Sequence, residues 1–253
     1  MLLNPAQIGI REKQVLAGLF LSKFDQSGLD ALGFDSFTEA FNALGYGLAG
    51  RPASIKNYRD EFDPLFPNPR QGWRNRKRRE YCMKLEEDYR ELSLEKFAEL
   101  VAGFVGATKP AVQPNQPVVD DLSPTSFAKR LITGRAAEQY FQAVRPMIQE
   151  FENYEVEDTT AQGCGYDFRL WPRVGEQFKA VEVKGMVEQS GSLLLTEKEY
   201  ESAGVLEKRF YLFVVKNFRE KPFHEIHANP LNGPLSFTRK ERIVVQVSWS
   251  ATA

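Results

Sequence analysis

The stretch GATKPAVQPNQPVVDDLSP holds four prolines and almost no periodicity, and it separates two regions whose apolar residues follow different spacing rules. Proline fixes φ and removes a backbone donor, so neither a helix nor a sheet is expected to run through it. On the amino-terminal side, residues 8–104 place apolar residues three and four apart in QVLAGLFLSKF, FTEAFNALG, SIKNYRDEF and YCMKLEEDYRELSLEKFAELVAGFV. That spacing predicts helices throughout. On the other side the pattern predicts a helix over 125–150, then short strands near 153–157, 165–171, 176–184 and 192–195. A helix over TEKEYESAGVLEKR follows, opened by the S/T-x-x-E capping box of Thr196 and Glu199. FYLFVV and RIVVQVSW predict two more strands. The expectation is an α+β chain of two domains, each with its own core: an all-helical domain over 1–108, a proline-rich linker over 109–123, and an α/β domain over 124–253.

Within the second region, GCGYDFRLWPRVGEQFKAVEVKG sets charge where a core is expected. Side chains alternate across a strand, so Phe178, Ala180, Glu182 and Lys184 share one face while Val181 and Val183 take the other. Burying an unpaired charge costs several kcal/mol, on the order of the buried-ion penalty. Glu182 and Lys184 therefore form an internal ion pair or belong to a site. Asp167 bears on the choice: if the two strands pair through a turn around 172–175, a second carboxylate arrives beside Glu182. Two carboxylates and one amine do not neutralise, and their hard oxygens suit Mg²⁺.

Other chemistries find less support. The formal net charge of −1 exerts no global pull on nucleic acid, so a basic footprint has to be local. Two cysteines, Cys82 and Cys164, fit a reducing compartment, and the apolar run at the amino terminus is too short for a signal peptide or membrane span. The expected setting is cytoplasmic, without a membrane partner. His224 and His227 form H-x-x-H, but no third histidine or cysteine ligand accompanies them, which disfavours zinc. Cys164 reads as a packing residue, and GYGLAG lacks the Lys-Ser/Thr ending of a phosphate loop.

GYDF followed by VEVKG, with GRAAEQYF upstream and LTEKEYESA and FYLFVV downstream, resembles the PD-(D/E)XK restriction-endonuclease-like superfamily. More closely, it resembles the nuclease-like domain at the carboxy terminus of NO VEIN-type proteins and of bacterial restriction and defence proteins. The likeness covers roughly residues 125–220, with Gly165 and Tyr166 standing before Asp167 where the superfamily's name has proline. The resemblance implies a central mixed sheet and a site in which Asp167, Glu182 and the backbone carbonyl of Val183 hold Mg²⁺, or Mn²⁺ in its place. Lys184 would position or deprotonate the attacking water, with its pKa lowered for that task. Glu138 matches a position that supplies an accessory acidic group; its other reading is an exposed helix glutamate.

Between residues 51 and 79, nine Lys and Arg face three acids. This is either a solvated charged face or a partner surface. FTEAFNALGYGLAGRPASIKNYRDEF reads as two helices about a glycine turn, a helix-turn-helix arrangement whose second helix would offer Ser54, Lys56, Asn57 and Arg59 outward to bases. Arg70, Arg74, Arg76, Lys77, Arg78 and Arg79 would then suit phosphates. The expectation is a Mg²⁺-dependent endonuclease acting on double-stranded DNA as a homodimer. Two further readings stand beside it: a DNA-binding regulator that keeps a nuclease fold without cutting, and an RNA or single-strand nuclease within a larger complex.

Overall fold

The computed structural model describes residues 8–70, 72–73, 75–106, 124–175 and 177–241. The expected linker at 109–123, the expected strand RIVVQVSW and Arg74 lie outside the described residues.

Five helices form the amino-terminal half: α1 (Ile10–Leu32), α2 (Phe37–Gly47), α3 (Pro52–Phe62), α4 (Glu80–Tyr89) and α5 (Leu94–Gly106). Local chemistry starts two of them. The Ser36 side chain accepts from the Glu39 N–H at the head of α2, and Pro52 occupies the first turn of α3, where its missing N–H is no loss. Their apolar faces close one core around Leu16, Phe20, Leu44, Ile55, Phe62 and Phe97. The helical run is not continuous, however. The described residues from Phe66 to Arg79 form no helix or strand, because Pro64, Pro67 and Pro69 deny the ladder its donors.

Helix α6 (Pro124–Val144) leads into a five-stranded sheet of β1 (Tyr154–Asp158), β2 (Phe168–Pro172), β3 (Lys179–Gly185), β4 (Phe210–Lys216) and β5 (Phe223–Ala228), ordered as in the chain. Every neighbouring pair is antiparallel except β3 and β4, which run parallel and are joined by α7 (Glu197–Leu206). The mixed sheet thus has a helix on each face. Phe168, Leu170, Val181, Val183, Phe213 and Val215 pack toward α6, whereas Ala180 and Phe210 pack with Ala203 of α7. Glu182 and Lys184, in alternation with the valines, lie on the α7 side.

Two elements differ from expectation. Residues 192–195 form no strand, since both edges of β3 are already taken by β2 and β4. Conversely β5 forms at the sheet edge where no strand was expected: Pro222 and the histidines masked an alternation that fits an edge strand with one polar side.

Helix α6 also faces the amino-terminal helices. Its Ile132 joins their core, while Ala136, Ala137, Tyr140 and Phe141 join the sheet core. Tyr46 of α2 meets the Tyr140 ring edge-on at 5.2 Å.

Candidate functional site

The site is built where β2 begins to pair with β3. The ladder starts at Phe168 opposite Val181. Just before it, Asp167 donates its N–H to the Val181 carbonyl at 3.0 Å and accepts the Val183 N–H on Oδ2 at 3.0 Å. The side chain of Asp167 thus takes a ladder hydrogen bond, which sets its carboxylate next to Glu182. Glu182 is only 4% exposed, and Lys184 Nζ lies 2.7 Å from its Oε1. Burial, and then the nearby Asp167 charge, push the Glu182 carboxyl well above the ordinary carboxylate range.

A fourth residue completes the cluster. Lys184 Nζ also donates to Oε2 of Glu199 on α7, at 2.7 Å. Burial works against the charged amine, but Glu182 and Glu199 outweigh it and hold the Lys184 pKa above its ordinary value. The lowered pKa expected for a base is therefore reversed in this arrangement. Glu199 was legible in the sequence only as the capping-box glutamate of α7. The signal that could have found it is its position: the first turn of the helix that follows the E-x-K strand.

Helix α7 also fixes the approach to Asp167. Gly165 has φ +87, and a Cβ there would lie 2.3 Å from Ser202 Oγ and 2.7 Å from the Lys198 carbonyl. Only glycine combines that left-handed backbone with so close an approach. Ser202 Oγ donates to the Cys164 carbonyl at 3.1 Å, so the loop before Asp167 is fastened to the helix that carries Glu199.

Glu138 is not an exposed helix glutamate: it is 2% exposed, and Arg135 Nη1 lies 2.9 Å from its Oε2. Among the described residues no three His, Cys, Asp or Glu side chains gather closely enough to hold one ion. His224 and His227, three apart on β5, point to opposite faces and cannot chelate together. His224 stacks on Phe213 at 4.8 Å, and burial lowers its pKa.

The basic residues divide into two groups. Arg59, expected outward, is 7% exposed; it bonds Asp60 at 2.6 Å and lies over the rings of Phe37 and Phe41. Arg70 donates to both oxygens of Asp63, at 2.8 and 2.9 Å, and also reaches Asp25. Arg79 holds Glu61 through its backbone N–H at 2.7 Å and its Nε at 2.8 Å. The three acids of this stretch thus draw three arginines into internal ion pairs. Lys56, Asn57, Arg76 and Lys77 remain exposed, with Ser54 and Arg78 half-buried. Lys56 makes an exposed i,i+4 pair with Asp60 at 3.1 Å.

A helix-flanked mixed sheet thus brings Asp167, just before β2, beside the E-x-K segment of β3. Residues 137–228 match the family described as Protein NO VEIN, C-terminal, which is associated with the PD-(D/E)XK nuclease-like superfamily. The match runs from α6 through β5, covers less than half of the chain, and includes Glu138, Asp167, Glu182, Lys184 and Glu199. No curated protein and no solved structure gives a significant match. No helix among the described residues is long and apolar enough to cross a membrane.

Proposed function

We propose that the protein is a Mg²⁺-dependent DNA endonuclease of restriction or phage-defence type. The observation that carries this reading is the geometry at the site: Asp167 stands beside the buried carboxyl of Glu182, and Lys184 Nζ lies 2.7 Å from Glu182 Oε1 and 2.7 Å from Glu199 Oε2. Asp167 and Glu182 fit Mg²⁺, which is held by one or two carboxylates and keeps several waters, so the lack of a third carboxylate is no obstacle. The Val183 carbonyl leaves the strand on the same edge as its N–H, toward Asp167, and supplies a further oxygen. Mn²⁺ would suit the same donors.

When bound, the ion polarises a phosphoryl oxygen and lowers the pKa of its water. Lys184, charged in this setting, would direct an attacking water by hydrogen bonding and offset charge on the phosphate rather than take a proton at the outset. Lys56 and Asn57, with Ser54, form the DNA-facing surface of an α2–α3 helix-turn-helix, to which Arg76, Lys77 and Arg78 of the irregular segment after α3 add phosphate contacts, while Arg59, Arg70 and Arg79 hold that surface together. One such site cuts one strand, so full duplex cleavage calls for a homodimer. Incubating the pure protein with modified and unmodified duplex DNA and Mg²⁺ tests the reading. Cleavage lost in Lys184→Ala and without the cation is expected, and no cleavage of either DNA would refute it.

A further inference from the structure

Lys184 Nζ lies 2.7 Å from Glu182 Oε1 and 2.7 Å from Glu199 Oε2, but the two partners differ in kind. Glu182 is the carboxylate that the proposed chemistry commits to a cation. Glu199 is held by its own helix: its Oε2 accepts the Thr196 N–H at 2.9 Å, and its N–H donates to Thr196 Oγ1 at 3.3 Å. A capping box of this kind fixes the glutamate at the helix start. The same helix is fastened to the loop before Asp167 through Ser202 and the close approach at Gly165. A lysine has a flexible four-carbon stem and three donors, so its amine goes where its acceptors are.

We propose that Glu199 is a positioning residue for Lys184. It keeps the amine at a fixed place beside the site when Glu182 turns to a cation, and it refers Lys184 and Asp167 to one rigid element, α7. The inference rests on the nuclease reading for its kinetic readout and for the cation at Glu182; the pairing of Glu199 with Lys184 does not depend on it.

The test compares Glu199→Ala, Glu199→Gln and Thr196→Ala, each measured for kcat, KM and Tm on duplex DNA with Mg²⁺. Glu199→Ala is expected to lower kcat by roughly 100-fold, the scale of a misplaced catalytic group, with KM nearly unchanged. Glu199→Gln, which keeps the acceptor, should recover part of that loss. Thr196→Ala removes only the Oγ1 acceptor of the capping box and keeps the Thr196 N–H that holds Glu199 Oε2, so it should lower Tm while leaving kcat near the wild-type value. Equal kcat losses in Thr196→Ala and Glu199→Ala, or a wild-type kcat in Glu199→Ala, would overturn the proposal. A second measurement is independent of cleavage: a Tm cycle of Lys184→Met, Glu199→Gln and the double variant, with and without CaCl₂. Non-additivity that persists in CaCl₂ supports the positioning role, and additive shifts overturn it. If the wild-type protein cuts no DNA, the nuclease reading falls while this cycle still decides the role of Glu199.

Discussion

Asn42 of α2 donates through Nδ2 to the carbonyls of Phe218, at 2.8 Å, and Glu220, at 2.9 Å, and so ties the amino-terminal helices to the turn between β4 and β5. Nearby, Lys129 of α6 reaches Glu39 at 2.8 Å and Asp35 at 3.3 Å, and Arg219 of the same turn reaches Asp35 at 3.1 Å. Replacing Asn42 with Ala takes the donor from both carbonyls. The expected loss is about 1–3 kcal/mol of unfolding free energy, read from urea denaturation. With α6 packed against both cores, the wild-type protein should unfold in one transition by fluorescence and circular dichroism alike. Two separated transitions would show that the halves are energetically independent.

Lys184→Ala leaves Glu182 and Glu199 facing each other without the amine between them. Beyond the loss of cleavage, the variant should lose about 3 kcal/mol of stability in EDTA, the scale for breaking a buried pair. Removing the charge of Glu182 as well, in Glu182→Gln/Lys184→Met, should restore much of that loss. A Lys184→Ala protein as stable as wild type would mean the cluster is more hydrated than its burial indicates.

Mg²⁺ binding to the folded state should raise Tm, by the equivalent of about 2.7 kcal/mol when the ion is at one hundred times its Kd. Asp167→Asn should abolish the shift, while Glu138→Gln should leave it largely in place. Differential scanning calorimetry with and without MgCl₂ checks both.

Among the basic residues the expected effects separate by burial. Arg59→Ala strips a partner from Asp60 and from Asp63, which is 1% exposed, and should lower stability by about 1–3 kcal/mol. Arg76→Ala and Lys77→Ala should leave stability within about 0.5 kcal/mol. They should instead weaken binding to every DNA sequence and flatten the salt dependence by roughly 0.9 for each phosphate that is no longer neutralised. Fluorescence anisotropy over a salt series distinguishes these outcomes, and wild-type salt dependence in the Arg76→Ala/Lys77→Ala protein would move the DNA surface elsewhere.

Much of the architecture was determined by the sequence alone, because the signals involved are short-range. Three-and-four spacing marked the helices, Thr196 and Glu199 marked the start of α7, and strict alternation put Glu182 and Lys184 on the face opposite Val181 and Val183. The turn after Pro172 was enough to bring Asp167 beside Glu182. What only the tertiary structure decided depends on partners distant in sequence or on competition among neighbours. Lys184 finds Glu199 because a parallel crossover lays α7 over β3, and no local pattern encodes that pairing. Arg59, Arg70 and Arg79 look like a binding surface in a linear count of charge, yet Asp60, Glu61 and Asp63 draw them inward, since buried carboxylates must be paired. Residues 192–195 and β5 exchange their expected states for a related reason: a strand needs a free edge to pair with. The edges of β3 were already taken, while β4 still offered one.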